Sequence, residues 1–213
     1  MRLLAIPFVL ATLVACAEDV GKDKAAATVS EVPAEPAVAE PAVPPSSTLK
    51  ALTVDVTKSS VDAVAAKITA QHPIKFPEFS GKVGVDGDAV KSVSFEVKIA
   101  TLAADAEKLT EHLKKSDFLD VEKFPTATFT STELKAGSDQ AGATHTVTGD
   151  FTIHGVTKRI SFPATLAVTP TEVTANSEFV LNRQDFGITY PGKPDDLIQD
   201  NVRLTIHFVA PRA

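Results

Sequence analysis

The sequence predicts an all-β domain, either a closed up-and-down antiparallel barrel or a sandwich, with one short helix. Apolar and polar residues alternate in segment after segment, the period-2 signature of strands that bury one face. Turn-forming sequences such as Asp86-Gly87-Asp88, Gly137-Ser138 and His154-Gly155 separate these segments. Only one segment has helical periodicity, so helices are too few to cover a sheet.

The alternation predicts nine strands. It is clearest in SVSFEVKI, where Val93, Phe95, Val97 and Ile99 share a face. The segment NVRLTIHFV has the same pattern near the end of the chain. The predicted strands span 51–57, 61–71, 80–85, 90–99, 126–134, 144–153, 156–168, 173–181 and 201–209.

The segment HTVTGDFTIHGVTKRISF predicts a hairpin. Apolar residues occupy one parity up to Ile153, and His154-Gly155 is typical of a two-residue turn, since glycine tolerates positive φ. The returning strand would then place Lys158 and Phe162 on the same face as Phe151. One side of this hairpin is expected to be buried.

The segment TLAADAEKLTEHLKKSDF predicts the single helix. It has Asp105 near its start, Leu109 and Leu113 four residues apart, and lysines near its end that suit the helix dipole. Pro125 prevents any continuation of the helix. We expect this helix to cap one end of the barrel.

The N-terminus, MRLLAIPFVLATLVAC, predicts a signal peptide over 1–15. Its apolar run is shorter than the ~20 residues of a membrane-spanning helix. The run ends at Cys16, the only cysteine, in a pattern that resembles the lipobox of bacterial lipoproteins. Cys16 is therefore the predicted lipidation site, and the alternative is an ordinary signal peptide followed by a free thiol. The residue after Cys16 is Ala17 and not Asp, which resembles the pattern of lipoproteins that are sorted to the periplasmic side of the outer membrane.

Composition divides the remaining chain into a tether and a domain. Residues 16–47 are rich in Ala, Glu, Val and Pro, as in VPAEPAVAEPAVPP. Such a segment cannot bury enough apolar surface to offset its ordering, which predicts a disordered, extended tether. Residues 48–213 are long enough for one β-barrel domain.

Charge and motif content argue against nucleic-acid binding and catalysis. The net charge is −6 and no basic run offers a track for phosphates. The histidines lack short metal-ligand spacing, no GxSxG sequence is present, and the DFG sequence lacks every other kinase element. The prediction is a non-enzymatic protein without metal or cofactor. The five histidines are His72, His112, His145, His154 and His207.

Three sequences in order resemble the YceI-like family of bacterial secreted proteins: HLKKSDFLDVEKFPTATFTST, VTGDFTIHGVTKRISF and LNRQDFGI. The resemblance covers about residues 51–210. It implies a lipocalin-like antiparallel barrel of about eight strands. It also implies that the interior holds a polyisoprenoid lipid, such as a polyprenyl phosphate or a quinone.

Ten residues are the predicted apolar interior. An isoprenoid chain offers only apolar area, so these side chains would bind it by removing that area from water. Gly149 and Ala127 are small positions that could leave room, and the alternative for every residue is plain barrel core. The ten residues are Phe95, Val97, Phe129, Val147, Phe151, Ile160, Phe162, Phe179, Leu204 and Phe208.

A charged or quinone head group would need polar contacts at the barrel mouth. Lys158 is one candidate, with a solvated rim charge as the alternative. Arg183 is the other, since a guanidinium binds phosphate through two hydrogen bonds. The alternative for Arg183 is an ion pair with Asp185 or a tie to a loop.

Two functions follow. The first is a membrane-anchored periplasmic protein that binds a polyisoprenoid lipid in its barrel. The second is a ligand-free envelope scaffold or stress-related interaction module, in which the barrel is filled by its own side chains. The sequence leaves open whether two copies form a homodimer.

Overall fold

The structure, a computed structural model, describes residues 18–33 and 49–212. The predicted signal peptide, Cys16 and the Pro-rich part of the predicted tether lie outside these ranges. Within them, no helix has the length and apolar character needed to cross a membrane.

Strands dominate the described residues. The single α-helix, α1, spans Glu107–Leu113, and short 3-10 helices span Ile99–Thr101 and Arg183–Phe186. The strands are β1 Thr28–Ser30, β2 Lys50–Thr53, β3 Ser60–Ala66, β4 Gln71–Lys75, β5 Phe79–Asp86, β6 Ala89–Lys98, β7 Ala103–Ala104, β8 Thr126–Ala136, β9 His145–Ile153, β10 Val156–Val168, β11 Glu172–Asn182, β12 Gly192–Lys193, β13 Asp196–Leu197 and β14 Asn201–Pro211.

One antiparallel sheet curls into a half-barrel around the core. Its strand order is β2-β5-β6-β8-β9-β10-β11-β14-β3-β4-β7, with β1 added beside β10. Eight of these strands have seven or more residues, namely β3, β5, β6, β8, β9, β10, β11 and β14. The segment after β2 also contacts β14, because Asp55 N donates to Val209 O at 2.8 Å. The predicted fold class is confirmed.

All nine predicted strands occur, but two are shorter than predicted, and the first of these, 51–57, ends at Thr53. The predicted strand 61–71 ends at Ala66, and a turn leads into β4, which the sequence did not predict. Pro73 lies within β4, and proline is a signal against a strand because it cannot donate to the ladder. The strands β7, β12 and β13 have only two residues each, too few for a visible alternation.

The predicted β9–β10 turn is confirmed. His154 and Gly155 have φ of 54° and 73°, the positive values that this two-residue turn demands. The register pairs Lys158 with Phe151 and Phe162 with Val147, so these side chains share a face as predicted.

The helix α1 begins two residues after Asp105, with Ala106 at its N-cap and no side-chain cap. Thr110 ties the helix to β7, because its hydroxyl accepts from Ala104 N at 2.9 Å. Leu113 is buried and Leu109 is half-buried, which confirms the apolar face of the helix.

The first described residues belong to the domain, in contrast to the disordered tether predicted from residue 16. Residues 25–30, called the N-terminal strap below, run between β10 and β11. These two strands pair directly only from Thr165 onward on β10. In the gap, Thr28–Ser30 pair with β10, and Ala27 N donates to Val180 O at 2.8 Å. The strap pairs with the unpaired edges of β10 and β11. The composition of residues 16–47 does not reveal this pairing.

Candidate functional site

The ten predicted interior residues all face the inside of the half-barrel. Phe95 and Leu204 are half-buried, and the other eight are buried. Each of the ten lines one of two interior cavities. Their placement follows from strand alternation, which puts every second residue on the concave face.

Aromatic rings fill most of this interior. Phe162 and Phe179 stack with ring centroids 4.3 Å apart. Phe129 lies 5.4 Å from Phe162 and 5.3 Å from Phe95, and Phe95 lies 5.5 Å from Phe208. Centroid distances of 4.5–7 Å are typical of favourable aromatic pairs. A continuous aromatic layer therefore crosses the barrel.

Gly149, a small interior position, does not leave free space beside it. A Cβ on Gly149 would lie 2.5 Å from Phe129 Cζ and 2.4 Å from Thr130 O. The ring of Phe129 thus fills the space that a side chain at position 149 would need. In this conformation Gly149 therefore leaves no room for a ligand, and its predicted role in ligand binding stays a prediction.

The remaining interior cavities are small, with volumes of about 30 Å³ and about 50 Å³. Ligand pockets in proteins have volumes of roughly 300–1,000 Å³. In this conformation the interior has no space for an isoprenoid chain. Ligand binding by the ten interior residues stays a prediction.

A larger apolar pocket lies at one end of the half-barrel and has a volume of about 350 Å³. Three separate parts of the chain form it: the β3–β4 hairpin, α1 with the loop that follows, and the segment around β12 and β13. We call it the end pocket. Its lining residues are Ala65, Ala66, Lys67, His72, Ile74, Ala106, Lys108, Leu109, His112, Leu113, Phe118, Tyr190, Gly192, Lys193, Asp196 and Ile198.

Three aromatic rings form one wall of the end pocket. His112, Phe118 and Tyr190 have pairwise centroid distances of 5.0–5.1 Å. His112 Nε2 lies 2.9 Å from Asp117 Oδ2. This hydrogen bond lowers the pKa of the Asp117 carboxyl. The carboxylate in turn orients the imidazole and keeps its ring against Phe118.

Most charged groups at the rim are paired with one another. Lys67 Nζ donates to Asp196 Oδ2 at 2.5 Å, and His72 Nδ1 lies 3.1 Å from Asp105 Oδ1. Lys108 and Lys193 also line the pocket, and neither has an ion pair within residues 18–33 and 49–212. The end pocket thus combines an apolar floor with two available ammonium groups.

The Lys67–Asp196 pair should make one wall of the end pocket sensitive to acid. Bonds from Lys67 and then Thr69 lower the pKa of the Asp196 carboxyl. Its contribution to stability is therefore present above the ordinary carboxyl pKa of about 3.9 and is lost as pH falls through the lower folded value. We expect the protection factors for amide hydrogen exchange in β12 and β13 to fall over that window.

Asp196→Asn should give fast exchange in β12 and β13 already at neutral pH and remove the acid dependence. Asp195→Asn is the matched control. Asp195 is exposed, and within the described residues its side chain makes no hydrogen bond, whereas Asp196 bonds to Lys67 and Thr69. Equal exchange in Asp196→Asn and the unmodified chain would contradict this role of the ion pair.

The two head-group candidates lie elsewhere. Lys158 is opposite Phe151, as predicted, but its ammonium pairs with Glu31, just after the strap. It lines neither the interior cavities nor the end pocket. Its visible role is to hold the strap against β10.

Arg183 is buried, with 6% of its surface exposed. Its guanidinium donates to Ile188 O at 2.6 Å, Gln199 O at 3.1 Å and Asp200 Oδ1 at 2.9 Å. Burial lowers the pKa of Arg183, and Asp200 opposes that effect. The alternative interpretation as a loop tie agrees with these bonds, although the acidic partner is Asp200 and not Asp185.

The end pocket was not predicted from the sequence. Its lining comes from three segments that are distant in the chain, and Ala65, Leu109 and Ile198 carry no chemical signature of a site. The predicted helix and its capping position were the only available signal. No group of three or more potential metal ligands occurs within the described ranges.

Residues 52–210 match the family model described as the YceI-like domain. The chain belongs to this family. The match begins after the N-terminal strap, so the strap lies outside the region that defines the YceI-like domain.

Known proteins with related sequences include UPF0312 proteins of Pseudomonas. One from Pseudomonas putida strain F1 is 36% identical over 125 residues, which cover 55% of this chain and 64% of the relative. A second, from Pseudomonas fluorescens, is 34% identical over 118 residues, 53% of this chain and 60% of the relative. The YceI-like chain thus matches somewhat less than two thirds of these relatives' length.

Solved structures show the same fold. Burkholderia cenocepacia BcnA has a TM-score of 0.66 at 26% identity, covering 74% of this chain and 99% of BcnA. A polyisoprenoid binding domain from Saccharophagus degradans, implicated in plant cell wall breakdown, has a TM-score of 0.60 at 14% identity. It covers 78% of this chain and 99% of that domain. The curled sheet is therefore the shared architecture of the YceI-like domain.

Proposed function

We propose that this protein binds an isoprenoid-type lipid, with part of the apolar chain in the end pocket and an anionic or quinone head group at its rim. The observation that carries the proposal is the end pocket itself. Its volume of about 350 Å³ lies within the range of protein ligand pockets, roughly 300–1,000 Å³. The polyisoprenoid binding domain with the same fold supports this ligand class.

The lining suits a branched hydrocarbon chain. Ile74, Leu109, Leu113 and Ile198 offer aliphatic surface, and Phe118 offers an aromatic face. Removing apolar area from water contributes about 25 cal/mol per Å², without any directional requirement. The site would therefore accept repeating isoprene units in several registers.

The rim suits a phosphate or a quinone oxygen. Lys108 and Lys193 line the same pocket from different elements, one on α1 and the other on β12. An ammonium group binds phosphate as a mobile point charge and can also donate to a quinone carbonyl. These two lysines take the place of Lys158 and Arg183 as head-group partners in the proposal.

The proposal retains the membrane anchor and its location. Cys16 would carry acyl chains, and the domain would reside on the periplasmic side of the outer membrane. The lipobox-like sequence and Ala17 support this, and metabolic labelling with a radioactive fatty acid tests it. Label in the unmodified chain and none in Cys16→Ser is the expected result.

Filling the end pocket should abolish lipid binding. Ala65 is half-buried and lines the pocket, so Ala65→Phe would place a ring where the chain is proposed to lie. We expect farnesyl phosphate or a ubiquinone to bind the full chain about tenfold or more weakly after this change. Fluorescence competition or calorimetry measures the affinity.

The matched control is Ala103→Phe, the same change at an exposed position of β7 that does not line the pocket. It should bind like the unmodified chain. Equal affinity of both variants would place the lipid elsewhere. Absence of any isoprenoid in organic extracts of the protein, together with no binding of added prenyl lipids, would reject the function.

The filled interior favours a second function, a ligand-free envelope scaffold or interaction module. Phe129, Phe162 and Phe179 occupy the space in which a carrier would hold its cargo. This function predicts that neither the unmodified chain nor Ala65→Phe binds prenyl lipids, and that chemical crosslinking in the envelope captures a partner protein.

A further inference from the structure

The strands β10 and β11 separate toward one end of the half-barrel. They pair directly from Thr165 onward on β10. Continuing the same register would place Phe162 opposite Phe179, and these two rings stack with centroids 4.3 Å apart. Beyond this stack the register would pair residues 159–161 of β10 with 180–182 of β11, but the strap lies between them. We call this gap in the wall the fork.

The strap fills the fork as an added strand. On one side, Thr28–Ser30 pair antiparallel with β10. On the other side, Ala27 N donates to Val180 O at 2.8 Å, and Val180 N donates to Ala25 O at 2.9 Å. Both strand edges of the fork thus receive backbone hydrogen bonds from a segment outside the matched YceI-like domain, residues 52–210.

The inner face of the strap covers the barrel interior. Ala27 and Val29 are half-buried and pack against the core, whereas Thr28 is exposed. Val29 lies opposite Ile160 in the register. Ile160 is 1% exposed and lines one of the two interior cavities. The strap is therefore the part of the wall that shields this side of the interior from solvent.

The strap is attached less extensively than the strands beside it. Its pairing with β10 covers three residues, whereas β9 pairs with β10 along Val156–Ala164. At the ends of the strap, Lys24 pairs with Glu178 at 2.6 Å, and Lys158 pairs with Glu31, whose side chain is 81% exposed. Exposed ion pairs contribute little to stability. Elements with few buried contacts open at a lower free energy than the whole domain.

We propose that the strap is a detachable wall strand. It leaves the fork while the rest of the sheet stays folded, and the open fork admits apolar molecules from the side into the barrel interior. Ile160 and Leu181, which border the fork on the inside, are apolar and buried. Val20, ahead of the strap, is 2% exposed, so the chain stays attached there and the strap can return.

This inference goes beyond the proposed function, because it concerns a different part of the molecule. Ile160 lines an interior cavity, and the end pocket is formed by other elements. A detachable strap also explains how an interior with little free volume in this conformation is reached by an apolar molecule.

Thiol labelling measures the opening. The full chain carries Cys16→Ser, which removes the only native cysteine, together with Ile160→Cys, and the apolar reagent pyrenylmaleimide is added. Val173→Cys is the matched control, because Val173 is also 1% exposed but lies where β11 pairs directly with β10. We expect labelling at position 160 to be about tenfold or more faster than at position 173, since local opening requires less free energy than global unfolding.

A charge on the inner face of the strap should keep it out of the fork. Val29→Asp would place a carboxylate against the core, so we expect labelling at position 160 to rise several-fold and labelling at position 173 to stay unchanged. Thr28→Asp is the matched control at an exposed strap position and should change neither rate. Leu181→Cys provides a second reporter on the opposite side of the fork if Ile160→Cys does not fold.

Equal labelling rates at the fork and at position 173 would overturn the proposal, because both thiols would then be reached only by global unfolding. Val29→Asp without faster labelling at position 160 or 181 would also overturn it, since β10 and β11 would then close the fork by direct pairing. The labelling requires no lipid, so neither result depends on whether the end pocket binds an isoprenoid. The lipid affinity of Ala65→Phe tests the proposed function separately.

Discussion

Phe162→Ala should lower the free energy of unfolding by about 3–5 kcal/mol, the range for removing a large buried aromatic side chain. Phe162 is 5% exposed and stacks on Phe179 with centroids 4.3 Å apart. It also lines both interior cavities, so its loss would join them into one larger void. Urea denaturation followed by circular dichroism measures the change.

Phe162→Leu is the matched variant, because it keeps part of the volume and should cost clearly less than alanine. The pair also tests how the interior works. A loss below about 1 kcal/mol for Phe162→Ala would mean that the interior adapts readily, which is behaviour expected of a ligand container and not of a packed core. Lipid binding in the barrel would then regain support over the end pocket.

Arg183→Ala should destabilise the domain by about 3 kcal/mol or more, since it leaves the Ile188 and Gln199 carbonyls without their donor. Arg183→Lys should be nearly as harmful. A single ammonium on a flexible stem cannot reproduce three bonds in different directions. Chemical denaturation of both variants provides the measurement.

The lysine variant separates structure from ligand binding at this position. A head-group role alone would leave the free energy of unfolding of the lysine variant nearly unchanged, because it does not involve the bonds to the Ile188 and Gln199 carbonyls. Arg203→Lys is the control: Arg203 Nε lies 3.5 Å from Glu178 in a partly exposed pair, which is expected to contribute less than about 1 kcal/mol. Similar losses at positions 183 and 203 would contradict the structural role of Arg183.

Local patterns determined most of the sheet. Strand alternation depends only on neighbouring residues, so the bounds of β10 and the inward faces of Phe129 and Phe179 could be predicted directly. The His154-Gly155 turn followed from the tolerance of glycine for positive φ. The three ordered sequence motifs likewise predicted the family, which the match over 52–210 confirms.

The free volume inside the half-barrel was decided only by tertiary packing. The sequence indicates that ten apolar side chains face inward, but it cannot say whether their rings meet. In the structure, rings from different strands come within 4.3–5.5 Å of one another and close the interior. Free space is a small difference between the enclosed volume and the summed side chains, so a pattern of residue types does not reveal it.

The end pocket and the strap were also decided by the fold. Ala65, Leu109 and Ile198 meet only after the sheet has curled and α1 has packed on its end. The strap pairs with β10 and β11 because these strands diverge and leave unpaired backbone groups. The sequence by itself determined which residues turn inward; the tertiary structure determined where space remains, because that depends on contacts between distant segments.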